Sequence, residues 1–149
     1  MNVLAELLLG AGRTRPEAVV ITDQFGVEHT NAELDARSAQ FANALSAVGV
    51  QPGDRVAVQI GKSFDLVALH VGVLRAGGMY VPLNSTYTDR EVADLMDDAE
   101  PALLVRDAPL DHPMRRYTGA ELTELADESD TWFVDVSRGL NDPASMLYT

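Results

Sequence analysis

The chain has 149 residues, no cysteine, 46% apolar residues and a formal net charge of −12. Without cysteine there are no disulfides, thiolate metal sites or cysteine nucleophiles, which fits a cytoplasmic protein. Lys62 is the only lysine, and an acidic chain of this kind argues against nonspecific nucleic-acid binding, which needs clustered cations.

A compact chain of this length buries about 70% of its unfolded surface, enough for one core. No apolar run is long enough to span a membrane, and the N-terminus lacks a signal-peptide pattern. The first predicted helix is Asn2–Leu9, with Gly10 and Gly12 as stop signals. Ala18–Thr22 and Val27–Thr30 read as a hairpin around Asp23-Gln24-Phe25-Gly26. Thr30-Asn31-Ala32-Glu33 reads as a capping box, opening a helix with Leu34, Phe41, Leu45 and Val48 inward and Gly49 at its end. Arg55–Ile60 is a predicted strand, Ser63–Arg75 an apolar helix and Met79–Leu83 the next strand. A second capping box, Thr88-Asp89-Arg90-Glu91, starts a helix with Val92, Leu95, Met96 and Ala99 inward, halted by Pro101. Ala102–Val105 is a strand, Pro109 and Pro113 mark a loop, and Thr118–Glu121 caps a short helix to about Ala126. Trp132–Val136 reads as a strand, and Ala144-Ser145-Met146-Leu147-Tyr148 as the start of a last, buried one. Alternating apolar strands and helices imply an α/β fold with a layered, mostly parallel sheet.

Few motifs carry chemistry. Gly61-Lys62-Ser63 sits between a strand and a helix, but the first glycine of a P-loop would fall at Val56, so a tight turn is expected. Gly10-Ala11-Gly12 follows a helix and has Arg15 where a dinucleotide fingerprint needs its third glycine. His29, His70 and His112 lack metal-ligand spacing. Asp97, Asp98 and Glu100 read as a solvated face, and there is no Gly-x-Ser-x-Gly. No metal site is expected, and residue chemistry alone describes an acidic α/β domain without an assigned role.

Three stretches in order carry a resemblance. They are Thr30-Asn31-Ala32-Glu33-Leu34, then Leu74-Arg75-Ala76-Gly77-Gly78-Met79-Tyr80-Val81-Pro82-Leu83-Asn84, then Ala144-Ser145-Met146-Leu147-Tyr148-Thr149. Together they resemble the opening motifs of the adenylate-forming superfamily, which includes acyl-CoA synthetases, luciferases and the adenylation domains of peptide synthetases. Within it, Lys62-Ser63 and Pro82–Thr88 look most like malonyl-CoA synthetases. Asn31 departs from the family's usual aromatic residue, and the 107–130 stretch is shorter than in many relatives.

The resemblance implies that residues 1–149 are the N-terminal α/β subdomain of an AMP-binding domain, cut just before its phosphate-binding loop. Thr149 is then the first residue of that ATP-binding loop, and no catalytic residue lies within the chain. The parent enzyme is expected to use ATP, Mg²⁺ and CoA to activate a carboxylate through acyl-AMP, with malonate as the acid. Other fatty, aryl or amino acids, or a non-catalytic binding module, remain as alternatives. No ATP, Mg²⁺ or CoA is expected on these 149 residues alone, which should release no pyrophosphate from ATP and malonate. A severed α/β layer should also expose apolar surface and self-associate; sedimentation that stays monomeric at high concentration would contradict this.

Overall fold

The computed structural model describes Met1–Thr149. Helix α1 (Val3–Arg13) precedes strands β1 (Val19–Thr22) and β2 (Glu28–Thr30), then helix α2 (Asn31–Ala47). Strand β3 (Arg55–Gln59), helix α3 (Phe64–Arg75) and strand β4 (Met79–Pro82) follow. Helix α4 (Asp89–Ala99), strands β5 (Leu103–Arg106) and β6 (Arg116–Tyr117) and helix α5 (Gly119–Asp127) complete the regular elements.

Strands β1 and β2 form the expected antiparallel hairpin. The main sheet has the order β4-β3-β5-β6, and all its pairings are parallel. Successive side chains of a strand point to opposite faces, and the sheet divides its apolar residues accordingly. Val56, Val58, Tyr80, Leu103 and Val105 join Phe41 and Leu45 of α2, Leu69 of α3 and Leu122 of α5 in one core. Ala57, Val81 and Leu104 point the other way, onto Val92 and Met96 of α4. The result is three layers, with the strands hidden on both faces as parallel strands require. Each fully buried leucine, such as Leu69, Leu103 or Leu122, contributes about 1.5–3 kcal/mol of transfer free energy.

Local signals act as read. Thr30 with Glu33, Thr88 with Glu91 and Thr118 with Glu121 all form complete capping boxes. Gly49 follows α2 at φ 95°. Helix α4 ends on Glu100, in the left-handed region at φ 45°, just before Pro101.

Four expectations need correction. Helix α1 does not stop at Gly10 but runs to Arg13. Gly12 lies where a Cβ would meet Asn31 Oδ1 at 2.6 Å, so this glycine serves close packing of α1 on the start of α2. Residues 132–136 join no sheet. They cross the ends of the helices instead, where Asn43 Nδ2 donates to the Trp132 carbonyl and Val136 N–H to that of Arg75. The final run makes a single bridge, Ser145 to Tyr80, rather than a strand. Finally, β6 is an unforeseen two-residue strand inside the segment read as a loop.

A buried guanidinium holds the helix ends together. Arg75, 2% exposed, closes α3. Its Nη1 donates to the Asp35 carbonyl and carboxylate, both at 2.8 Å, and to Ser38 Oγ at 2.9 Å. Its Nε donates to Asp135 Oδ1 at 2.6 Å. Arg13 of α1 binds the same Asp35 carboxylate at 2.8 Å. Burial would raise the Asp35 pKa, but the hydrogen bond from Arg13 and the charges of Arg75 and Arg13 outweigh it and hold the carboxyl below its ordinary value. The folded value therefore lies under the unfolded one. The stabilisation is complete above about pH 4 and is lost as pH falls through the folded value. Arg75→Met strips Asp135 of its close partner and leaves Asp35 to Arg13 alone, and urea unfolding should show a loss of about 3–5 kcal/mol.

Candidate functional site

Parallel strands place all their carboxyl ends on one edge. Strand β3 lies between β4 and β5, and the helices leading to those neighbours pack on opposite faces: α3 on one face of the sheet, α4 on the other. This reversal around β3 is a topological switch point, where open α/β sheets form ligand crevices.

The loops at that edge are held by one clasp. Arg106, 5% exposed, ends β5. Its Nε donates to Gln59 Oε1 at 2.6 Å, its Nη1 to the Ala108 and Pro109 carbonyls, and its Nη2 to the Asp89 carboxylate. Gln59 Nε2 in turn donates to the Asn84 carbonyl at 2.7 Å. Thus the exits of β3, β4 and β5 and the start of α4 share one network. Asn84 Oδ1 accepts from Thr86 N–H and Oγ, which tightens the β4 exit.

On the α2–α3–α5 side a cleft of about 370 Å³ is bordered by Ile60, Gly61, Ser63, Asp65, Asp107 and Gly119. Its polar groups are engaged with each other. Asp65 takes a two-pronged contact from Arg37 at 2.8 and 2.9 Å, and Asp107 Oδ1 accepts the Gly119 N–H at 2.8 Å. Ser63 Oγ caps α3 by accepting from Leu66 N–H, and Lys62 is exposed beside it. Gly61-Lys62-Ser63 is thus a turn and cap, as expected.

On the α4 side the chain's last residues approach the same edge. Tyr80 N–H donates to the Ala144 carbonyl at 2.9 Å, and Met146 N–H to the Tyr80 carbonyl at 3.0 Å. Met146 and Tyr148 then pack against the α4 core. Tyr148 OH donates to Asp98 Oδ2 at 2.7 Å. Thr149 lines an opening of about 270 Å³ with Tyr87, Glu91, Asp94, Leu95 and Tyr148. Lost hydration and the adjacent Asp98 carboxylate push the Tyr148 phenol up to about 12.

The remaining candidates have structural work. His70 stacks on Tyr80 with centroids 3.9 Å apart, and burial lowers its pKa. His29 stacks on Phe64. His112 Nε2 lies 3.0 Å from Asp97 Oδ1, tying the loop after β5 to α4. No group of three metal-ligating side chains is formed. Gln59 and Arg106 were missed in the sequence. The available signal was a charged residue directly after the apolar run Leu103-Leu104-Val105.

The profile of the AMP-binding enzyme family matches residues 10–149. Tyrocidine synthase 3 of Brevibacillus parabrevis is 33% identical over 143 residues, which is 93% of this chain and 2% of that protein. The crystal structure of ATP-bound MatB from Rhodopseudomonas palustris superposes with a TM-score of 0.89 at 33% identity, covering 100% of this chain and 32% of that one. A Mycobacterium tuberculosis fatty acyl CoA synthetase shares the fold, with a TM-score of 0.85 at 20% identity over 97% of this chain and 32% of its own. The chain therefore spans about a third of these structural relatives and a small part of the tyrocidine synthase.

Asp98→Asn removes the carboxylate that opposes Tyr148 ionisation. In ultraviolet titration one tyrosine should shift from about 12 toward the ordinary value near 10; an unchanged curve would remove the Tyr148–Asp98 contact from the site.

Proposed function

Because the chain belongs to the AMP-binding enzyme family, we propose that it is the N-terminal α/β portion of an ATP-dependent acid–CoA ligase. In this reading a carboxylate oxygen attacks the α-phosphorus of ATP, and the bond to the β-phosphate oxygen breaks to release pyrophosphate. The CoA thiol then attacks the acyl carbon, loses its proton and displaces AMP. The protein's task in the first step is positioning and charge neutralisation.

The whole-chain likeness to the ATP-bound MatB structure carries the reading. The position of Thr149 supports it: the residue lies on the opening beside α4 that Tyr87, Glu91, Asp94 and Leu95 also line. Thr149 begins the ATP phosphate loop in this proposal, and the phosphate-gripping, acid-binding and CoA-binding groups belong to later sequence. Lys62-Ser63 and Pro82–Thr88 support malonate as the acid. No helix is long and apolar enough to cross a membrane, and the proposed location is the cytoplasm. Exposed Leu7, Leu8, Trp132, Val134 and Leu147 support self-association of the isolated chain.

The likeness to the tyrocidine synthase favours a second reading, adenylation of an amino acid. The test is to read the coding DNA past the codon for Thr149 and assay ATP–pyrophosphate exchange by the full-length product. Malonate should exceed fatty, aryl and amino acids by about tenfold or more in kcat/KM. An amino acid at the top of the series would select the second reading. A stop codon with no exchange would end both and leave a binding module.

A further inference from the structure

Pro82 stands at the point where the chain's last segment stops pairing with the sheet. In a parallel ladder every second residue of a strand faces the same neighbour. On β4, Tyr80 faces the last segment, with its N–H on the Ala144 carbonyl and its carbonyl on the Met146 N–H. The next residue facing that way is Pro82. Its N–H would meet the Met146 carbonyl, and its carbonyl the Tyr148 N–H. Proline has no N–H, and neither bond is formed. On its other side β4 stays paired with β3 up to Pro82, opposite Val58, and Leu83 N–H donates to the Val58 carbonyl at 2.9 Å. The sheet therefore opens on one side only, between β4 and the last segment.

The freed segment is caught elsewhere. Tyr148 OH reaches Asp98 on α4, and Thr149 borders the opening with Tyr87 and Leu95. From this geometry we propose that Pro82 is a positioning residue for nucleotide activation. By withholding one N–H it ends the pairing after Ser145 and directs the following backbone away from β4 and over the opening beside α4. The role rests on the ligase reading above; the unzipping at Pro82 does not.

Two measurements separate these. In the 149-residue chain, Pro82→Val and Pro82→Ala each supply the missing N–H, and the smaller variant guards against a packing failure. Amide exchange at position 82 should be slowed about tenfold or more relative to a free peptide, because the new N–H pairs with the Met146 carbonyl. Free-peptide exchange in both folded variants would overturn the proposal. In the full-length protein, a displaced phosphate loop should lower acid-dependent ATP–pyrophosphate exchange by about a hundredfold. CoA consumption of supplied acyl-adenylate should stay within about twofold, since it needs no triphosphate grip. Equal loss of both half-reactions, or no loss of exchange, would overturn the positioning role. A wild-type full-length chain without any exchange would sink the ligase reading and that role with it, while the amide result still decides the unzipping.

Discussion

One buried cation organises this acidic molecule. Arg75 reaches α2 through Asp35 and Ser38, and the 132–136 crossing through Asp135 and the Phe133 carbonyl. Arg13 shares Asp35, which adds α1. A guanidinium suits the place because its planar fork can serve several acceptors at once, and an ammonium would leave some unmet. Around it, Asn2 Nδ2 donates to the Leu74 and Val136 carbonyls, and Gly77, at φ 79°, packs so closely that a Cβ would meet Val136 at 2.7 Å. The Leu74–Gly78 stretch thus acts as a junction on which both ends of the chain dock. Its glycines and arginine have packing duties.

The opposite edge of the sheet has a second buried arginine with a different task. Arg106 binds the end of β3, the loop after β5 and the first residue of α4, and so keeps the carboxyl edge in shape. Burying a cation is costly unless its donors are satisfied, and both arginines meet that condition with short, charge-assisted contacts. The two clusters divide the labour of the fold: one fixes how the layers are joined, the other fixes the rim on which a ligand would rest.

Much of the architecture was legible in the residues. Capping boxes, Gly49 and the apolar strand cores act through local chemistry, so a linear reading finds them. The same reading failed at Gly10 and Gly12: α1 runs through both, and Gly12 packs against Asn31. It failed at Trp132–Val136, since an extended apolar run does not say whether a sheet edge is free to receive it. The candidate site was the least visible part. Gln59 and Arg106 meet only after β3 and β5 are paired, and the meaning of Pro82 depends on which neighbour its nitrogen faces. The motif resemblance reached the family because it sums several structural necessities in order.

The wide spacing of Arg75's partners has a consequence for synthesis. Asp35 precedes it by 40 residues and Asp135 follows it by 60. A chain emerging N-terminus first can assemble β3, α3 and β4 while the carboxylate of Asp135 does not yet exist. Until then the guanidinium is short one counter-charge, and the layer it anchors is provisional. The crossing segment therefore supplies the last counter-charge of the cluster to be synthesised.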